Sequence, residues 1–297
     1  MTKTIQKITP HLWFDKEAKD AAEFYTSIFS NSKVTNVTTL HNTPSGDTDI
    51  VSFELRKMPF IAISAGPFFK FNPSISFLVS CNTTDESERL WQRLSKHGEI
   101  LMEYNTYPWA ERYGWLNDRF GLSWQIMVHR EQINKQSISP VLMFVGSLYG
   151  KAEEAINYYT SIFPKSKIRH ITRYNDGEEP DKKGNVKFAS FILEGQEFGA
   201  LDSAHEHNFA FNEAISFIIH CDTQKEIDYY WNKLSAVPES EQCGWLKDKF
   251  GISWQIVPSG MEEMMKKGSK EQIARVTKSF LKMKKFDITK LKQAYEG

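Results

Sequence analysis

Gly114-Trp115-Leu116-Asn117-Asp118-Arg119-Phe120-Gly121-Leu122-Ser123-Trp124-Gln125-Ile126 returns later in the chain as Gly244-Trp245-Leu246-Lys247-Asp248-Lys249-Phe250-Gly251-Ile252-Ser253-Trp254-Gln255-Ile256. The differences are Asn to Lys, Arg to Lys and Leu to Ile, all conservative. Two Trp residues, an Asp, a Phe and a Gln recurring in register mark an internal repeat, and a repeat sets the architecture before any single motif does.

Working outward, the match covers most of the chain. Thr9-Pro10 answers Ser139-Pro140, and Tyr25–Phe29 is repeated letter for letter as Tyr159–Phe163. Ser52-Phe53 answers Ser190-Phe191, Phe71-Asn72 answers Phe211-Asn212, Ile75-Ser76-Phe77 answers Ile215-Ser216-Phe217, and Trp91 answers Trp231. Extra length falls near Gly146–Gly150 and Asp176–Gly184, Gly-rich or charged as loops are. One deletion removes the second copy's equivalent of Leu101–Arg112. Each copy is far longer than a solenoid repeat, so each is expected to be a folded domain with its own core. The boundaries read as 1–135 and 136–258, with a tail at 259–297 that has no counterpart in the first copy.

Within each copy the elements alternate. Ala18, Ala21, Ala22, Tyr25, Ile28 and Phe29 form an apolar helical stripe, and Ala152, Ala155, Ile156, Tyr159, Ile162 and Phe163 repeat it. A second helix starts at Thr83 with Glu86, and again at Thr223 with Glu226, in the manner of a capping box. Period-two segments surround these helices. In 74–81, Ile75, Phe77, Val79 and Cys81 share one face; in 214–221, Ile215, Phe217, Ile219 and Cys221 do. The result is a doubled β-α-β-β-β order of the α+β class. The tail predicts helices, with Ser259/Glu262 and Ser269/Gln272 as capping boxes, a stripe of Ile273, Val276, Phe280 and Met283, and Asp287 capping a last helix. Its lysines (Lys266, Lys267, Lys278, Lys282, Lys284, Lys285) read as a solvated face rather than an anion patch.

Composition narrows the function classes. Lys+Arg and Asp+Glu are both 37, so no global field draws nucleic acid or acidic lipid. No apolar run reaches the ~18 residues of a membrane span, and Met1–Thr9 lacks a signal-peptide apolar region. Of three cysteines, Cys81 and Cys221 hold equivalent repeat positions and are not expected to pair, which suits a reduced, cytoplasmic protein.

Pro10–Phe14, Ala21-Ala22-Glu23-Phe24-Tyr25 and Ile28-Phe29 resemble the opening of PhnB-like proteins of the glyoxalase/bleomycin-resistance (vicinal oxygen chelate) superfamily. Trp109–Gly114 and the Gly-Trp-Leu-x-Asp-x-Phe-Gly-x-Ser-Trp-Gln-Ile block resemble that family's C-terminal signature. Phe211–Phe217 resembles the subgroup labelled 3-demethylubiquinone-9 3-methyltransferase. The resemblance implies tandem glyoxalase-like domains, each built from two βαβββ modules whose sheet curls around a cavity. Methyl transfer is not expected: no Gly-x-Gly occurs among the 16 glycines, and there is no P-loop or Gly-x-Ser-x-Gly.

Superfamily enzymes hold a divalent metal with His, Glu and sometimes Gln on first and last strands, leaving positions open for substrate oxygens. By the resemblance, Gln125 and Gln255 stand where Glu is usual. The first-strand position falls near Thr9 or His11, and near Ser139 or Val141. The second-module position falls near Ser74 or Ser76, and near Ala214 or Ser216. His11 and Gln125 are then the fullest ligand set, both neutral, so no catalytic metal or other cofactor is expected; a divalent metal on that pair is the alternative. The expected function is binding or sequestering an unidentified small organic ligand, with Gln125 and Gln255 orienting it. Trp13, Tyr104, Trp109, Trp124 and Trp254 are candidate cavity walls, core packing being the other reading. His220 and Cys243 are further pocket candidates, although Cys243 has no identifiable base to activate it. The 202–207 run, with Asp202, His205, Glu206 and His207, reads as a solvated loop. The alternatives are a metal-dependent lyase, isomerase or dioxygenase, and a chain in which one repeat is only a structural partner. The repeats are expected to pair as an internal pseudo-dimer, leaving the chain monomeric.

Overall fold

The repeated helix stripe forms α1 (Ala18–Ile28) and α3 (Ala152–Ile162), each burying its Ala/Tyr face. The computed structural model describes residues 6–43, 46–129 and 138–297. The expected repeat boundary at 135/136 and the first five residues of the Met1–Thr9 segment lie outside them. Four βαβ-type modules follow one another. They are β1 (Ile8–Phe14), α1, β2 (Lys33–Thr43), β3 (Gly46–Leu55), β4 (Met58–Ser64); then β5 (Ile75–Cys81), α2 (Thr84–Leu94), β6 (Glu99–Tyr107), β7 (Ala110–Asn117), β8 (Ser123–Val128). The second repeat gives β9 (Ile138–Phe144), α3, β10 (Lys167–Arg173), β11 (Val186–Leu193), β12 (Gln196–Asp202); then β13 (Ile215–Cys221), α4 (Gln224–Leu234), β14 (Trp245–Lys247), β15 (Ser253–Pro258). Thr83 and Thr223 cap α2 and α4 from their side chains; the partner carboxylates Glu86 and Glu226 reach the backbone one residue earlier, at Asn82 and Asp222.

The pairing of modules corrects the sequence expectation. One sheet runs β14-β15-β13-β1-β4-β3-β2 and the other β10-β11-β12-β9-β5-β8-β7-β6. Each therefore joins the first module of one repeat to the second module of the other. The compact units are Met1–Lys70 with Asn212–Gly297 (unit 1) and Phe71–Phe211 (unit 2), not 1–135 and 136–258. The reason is an edge. β1 pairs parallel to β4 on one side and offers its other edge, which β13 fills antiparallel; β9 uses β12 and β5 in the same way. An open edge must be paired or covered, and each repeat carries a second module whose first strand can fill it. The chain changes sheet in the middle of each repeat, where Phe-Asn recurs. Asn72 Nδ2 donates to Ala210 O (3.0 Å) within unit 2, and Asn212 Nδ2 to Lys70 O (2.9 Å) within unit 1. Each Asn Oδ1 also accepts the N–H two residues on, at Ser74 and Ala214.

The deciding stretch is a strand–turn–strand held by its aspartate. Asp118 Oδ1 accepts from the N–H of Phe120 and Leu122, and Oδ2 accepts Trp124 Nε1 at 2.9 Å. Asp248 does the same for Phe250, Ile252 and Trp254. Gly121 and Gly251, at φ +84° and +82°, supply the left-handed turn residue. Trp115 lies opposite Gln125 and Trp245 opposite Gln255, so the two copies keep one register.

The tail forms α5 (Gly260–Lys267), α6 (Lys270–Phe280) and α7 (Ile288–Glu296). Ser269 and Gln272 make a full capping box and Asp287 caps α7, but Ser259 makes no side-chain cap bond, so that expected box is absent. Cys243 N donates to Met283 O and Gly244 N to Lys284 O, and Phe286 is buried, which anchors the tail to unit 1. Lys267, Lys284 and Lys285 form ion pairs with Glu263, Glu241 and Asp228. Among the described residues no helix is long and apolar enough to cross a membrane.

Candidate functional site

Alternation along β1 sends His11 and Trp13 to one face of the unit 1 sheet. Register then brings neighbours to them: His11 faces Ser216, and Ile218 faces Gln255. His11, Trp13, Trp245, Gln255, Cys243 and His220 line a cavity of about 220 Å³ with Ile50, Ile61, Ile63, Ile218 and Val257. Met261, Met265, Phe280 and Phe286 close it from the tail. A second cavity of about 350 Å³ shares Ser52, Ile61, His220 and Glu262 with it and mixes Glu54 and Glu262 with Lys57 and Lys266.

The polar groups of the first cavity are few. His11 is only 4 % exposed, and its Nδ1 is buried without a hydrogen-bond partner among the described residues. Burial pushes its pKa down to about 3, so the ring is neutral. It meets Trp245 edge-on, centroids 5.3 Å apart, and Trp245 in turn meets Trp13 at 6.0 Å. Trp13 Nε1 is spent on Gly66 O at 2.8 Å. Gln255 Nε2 donates to Ser216 Oγ at 2.9 Å, the one side-chain bond this amide makes among the described residues. His220 pairs with Thr9 Oγ1 at 3.1 Å, and burial, helped by Lys7, lowers its pKa to about 4. Burial raises the Cys243 thiol; its Sγ donates to Phe280 O at 3.6 Å and accepts from Gln242 Nε2, so it is no ready nucleophile.

Unit 2 has the same strands and a different interior. Val141 holds the position opposite Ser76 that His11 holds opposite Ser216. Gln125 is fully engaged: Tyr113 Oη donates to its Oε1 at 2.8 Å, and its Nε2 donates to Ser76 Oγ at 2.8 Å. Tyr113, Leu78, Ala110 and Val141 form a buried cluster against which Met102, Tyr107, Trp115 and Phe188 pack. A smaller cavity of about 180 Å³, lined by Ser80, His129, Ser139 and Glu197 among others, does not include Gln125.

Several expected site residues lie elsewhere. Trp124 and Trp254 are 0 % and 1 % exposed, bonded to Asp118 and Asp248 and packed on Phe77 and Phe217. As neighbours of Gln125 and Gln255 on a strand they must face the other way. Tyr104 stacks on Trp91 and hydrogen-bonds Ser87, against α2. Trp109 is 53 % exposed, stacked on Tyr107. Ser74 is spent on the mid-repeat connector, donating to Ala210 O. His11 belongs to unit 1 and Gln125 to unit 2; the glutamine that lines a cavity with His11 is Gln255. Asp202 is a buried acceptor for Gly150, Ala152 and Val186 N–H groups, and His207 bonds Ser203. The sequence reading missed Trp245, Met261, Met265, Phe280 and Phe286 as cavity walls. For Trp245 a signal existed, since the repeat register sets it across from Gln255.

The residues do not suit a tight divalent metal. His11 and the Gln255 amide are neutral, Ser216 already accepts from Gln255, and the sole carboxylate on this cavity is the exposed Glu262. Among the described residues no group of three or more His, Cys, Asp or Glu is placed to hold a metal ion. A stable site needs about three good donors with some anionic charge.

A family model described as 3-demethylubiquinone-9 3-methyltransferase matches residues 6–127 and again 136–257. A PhnB protein from Bacillus cereus is 35% identical over 41% of this chain and 99% of its own, with a TM-score of 0.39. Glyoxalase I from Zea mays is 11% identical, covering 87% of this chain and 96% of its own at a TM-score of 0.52. A Bacillus subtilis protein provisionally described as a dioxygenase is 9% identical, covering 96% and 94% at 0.50. The last two establish a glyoxalase-like fold across most of the chain. No curated protein matches.

Proposed function

This chain belongs to the 3-demethylubiquinone-9 3-methyltransferase family, and we propose that it binds and sequesters a small organic molecule in the unit 1 cavity without a metal, unit 2 serving as structural counterpart. One observation carries the reading. Among the described residues, a buried imidazole with an unpartnered nitrogen and an amide whose carbonyl meets no donor line the same apolar, aromatic cavity. Buried polar groups are nearly always hydrogen-bonded, and an exception such as His11 Nδ1 marks a function or a missing partner. The size fits a ligand of one or two rings, below the ~300–1,000 Å³ of drug-sized sites. In unit 2 the space beside Gln125 is taken by Tyr113 and its packed neighbours, and the cavity of about 180 Å³ that remains, lined by Leu78, Ser80 and Met127, does not reach that amide. Methyl transfer finds no support in the sequence, which lacks a Gly-rich cofactor turn. Among the described residues Cys81, Cys221 and Cys243 form no disulfide, which suits a reducing cytoplasm.

Native mass spectrometry of gently purified protein, with elemental analysis, tests this reading. The expected result is one organic adduct per chain, lost in His11→Ala/Gln255→Ala, with no stoichiometric metal. A stoichiometric metal lost in that double variant would replace binding by metal-dependent lyase, isomerase or dioxygenase chemistry.

A further inference from the structure

The two repeats differ at one place that bears on what the unit 1 cavity holds. In unit 2 the carbonyl of Gln125 is met by the phenol of Tyr113, buried and donating at 2.8 Å. Burial pushes that hydroxyl far above its ordinary range, so it remains an O–H donor. In the repeat alignment Tyr113-Gly114-Trp115 corresponds to Cys243-Gly244-Trp245. Unit 1 thus retains the acceptor, Gln255, with its Nε2 turned to a serine as in unit 2, but has a thiol where the phenol would start. The deletion upstream also removes the counterpart of Leu101–Arg112, whose Met102 and Tyr107 pack the unit 2 interior. What remains is an apolar space of about 220 Å³ ending on an amide carbonyl that meets no donor among the described residues.

Resting on the binding reading above, we infer that the unit 1 ligand is a phenol: an uncharged aromatic ring whose hydroxyl donates to Gln255 Oε1, standing where the Tyr113 side chain stands in unit 2. Aromatic walls from Trp13 and Trp245 suit a flat ring. The inner wall offers no cation to offset a carboxylate, and an uncompensated buried charge is strongly disfavoured.

The test titrates the full-length protein with p-cresol, 4-methylanisole and 4-methylbenzoate by calorimetry. p-Cresol should bind once per chain, because unit 2 already carries its own phenol. 4-Methylanisole keeps the ring and loses the donor, and should bind at least about fivefold more weakly. 4-Methylbenzoate should not bind. In Gln255→Met the advantage of p-cresol over the ether should vanish. Equal wild-type binding of cresol and ether, binding of the benzoate as tight as cresol, or two cresol sites per chain would overturn the phenol inference while leaving a binding cavity in place. No binding by any of the three would overturn both.

Discussion

Replacing His11 by Leu should make the ligand-free protein more stable, which is unusual for a change at a buried position. Leu removes the buried Nδ1 that no group satisfies, a burden of about 1–3 kcal/mol. It forfeits the edge contact with Trp245, about 0.5–1.5 kcal/mol. The volumes are similar, so the net gain is about 1 kcal/mol, or roughly 2–4 °C in Tm for a unit of this size. Acid conditions sharpen the contrast. The folded pKa of His11, about 3, lies below the ordinary 6.5, so its neutral burial is without proton-linked cost above pH 6.5. As pH falls through 6.5 the unfolded chain takes up a proton that the folded chain refuses until about pH 3, and stability drops by roughly 1.4 kcal/mol per pH unit. At pH 5 wild type should have lost about 2 kcal/mol through His11, and the Leu variant none of that share. Urea unfolding at pH 7 and pH 5 measures both quantities. A variant less stable than wild type by more than about 1 kcal/mol at pH 7 would mean that the imidazole holds the fold together, and the case for a ligand-facing His11 would collapse.

Three further outcomes follow from the same structure. Asp248→Ala and Asp118→Ala each strand two backbone N–H groups and an indole N–H in the interior, and should cost about 3–5 kcal/mol in chemical denaturation; a cost under 1 kcal/mol would show that the turn forms without its carboxylate. Cys243, with a thiol raised by burial, should react with a disulfide reagent at least about tenfold more slowly than free cysteine at pH 8, and labelling at the free-thiol rate would refute its placement beneath the tail. The first module of each repeat already pairs with a second module of the same chain, at β1–β13 and β9–β5, so light scattering at micromolar concentration should give the mass of a single chain, and a stable dimer would overturn that expectation.

Much of this architecture was legible in the letters. The repeated Gly-Trp-Leu-x-Asp-x-Phe-Gly-x-Ser-Trp-Gln-Ile stretch marked a duplicated α+β fold, because a turn needing an Asp acceptor, a positive-φ Gly and a Trp donor leaves a local signature. The helix stripes and the Thr83, Thr223 and Ser269 caps are local too, and they formed as spaced. The tandem glyoxalase-like pattern followed from blocks quoted along both copies. Tertiary structure alone decided which copies meet. The motif shared by the two second modules does not say which of them meets β1; only the completed sheet, with β13 on the β1 edge, places His11 in one cavity with Gln255. It also decided which aromatics face a cavity. Trp124 and Gln125 are adjacent in sequence and opposite in space, and residues as distant as Phe280 and Phe286 close the site of His11. Finally, it separated an amide packed into the interior from one that lines a cavity. Gln125 and Gln255 are the same letter in the same motif, and what distinguishes them is the Tyr113 hydroxyl bonded to one carbonyl and the absence of any such donor at the other, a fact of packing that no local pattern encodes.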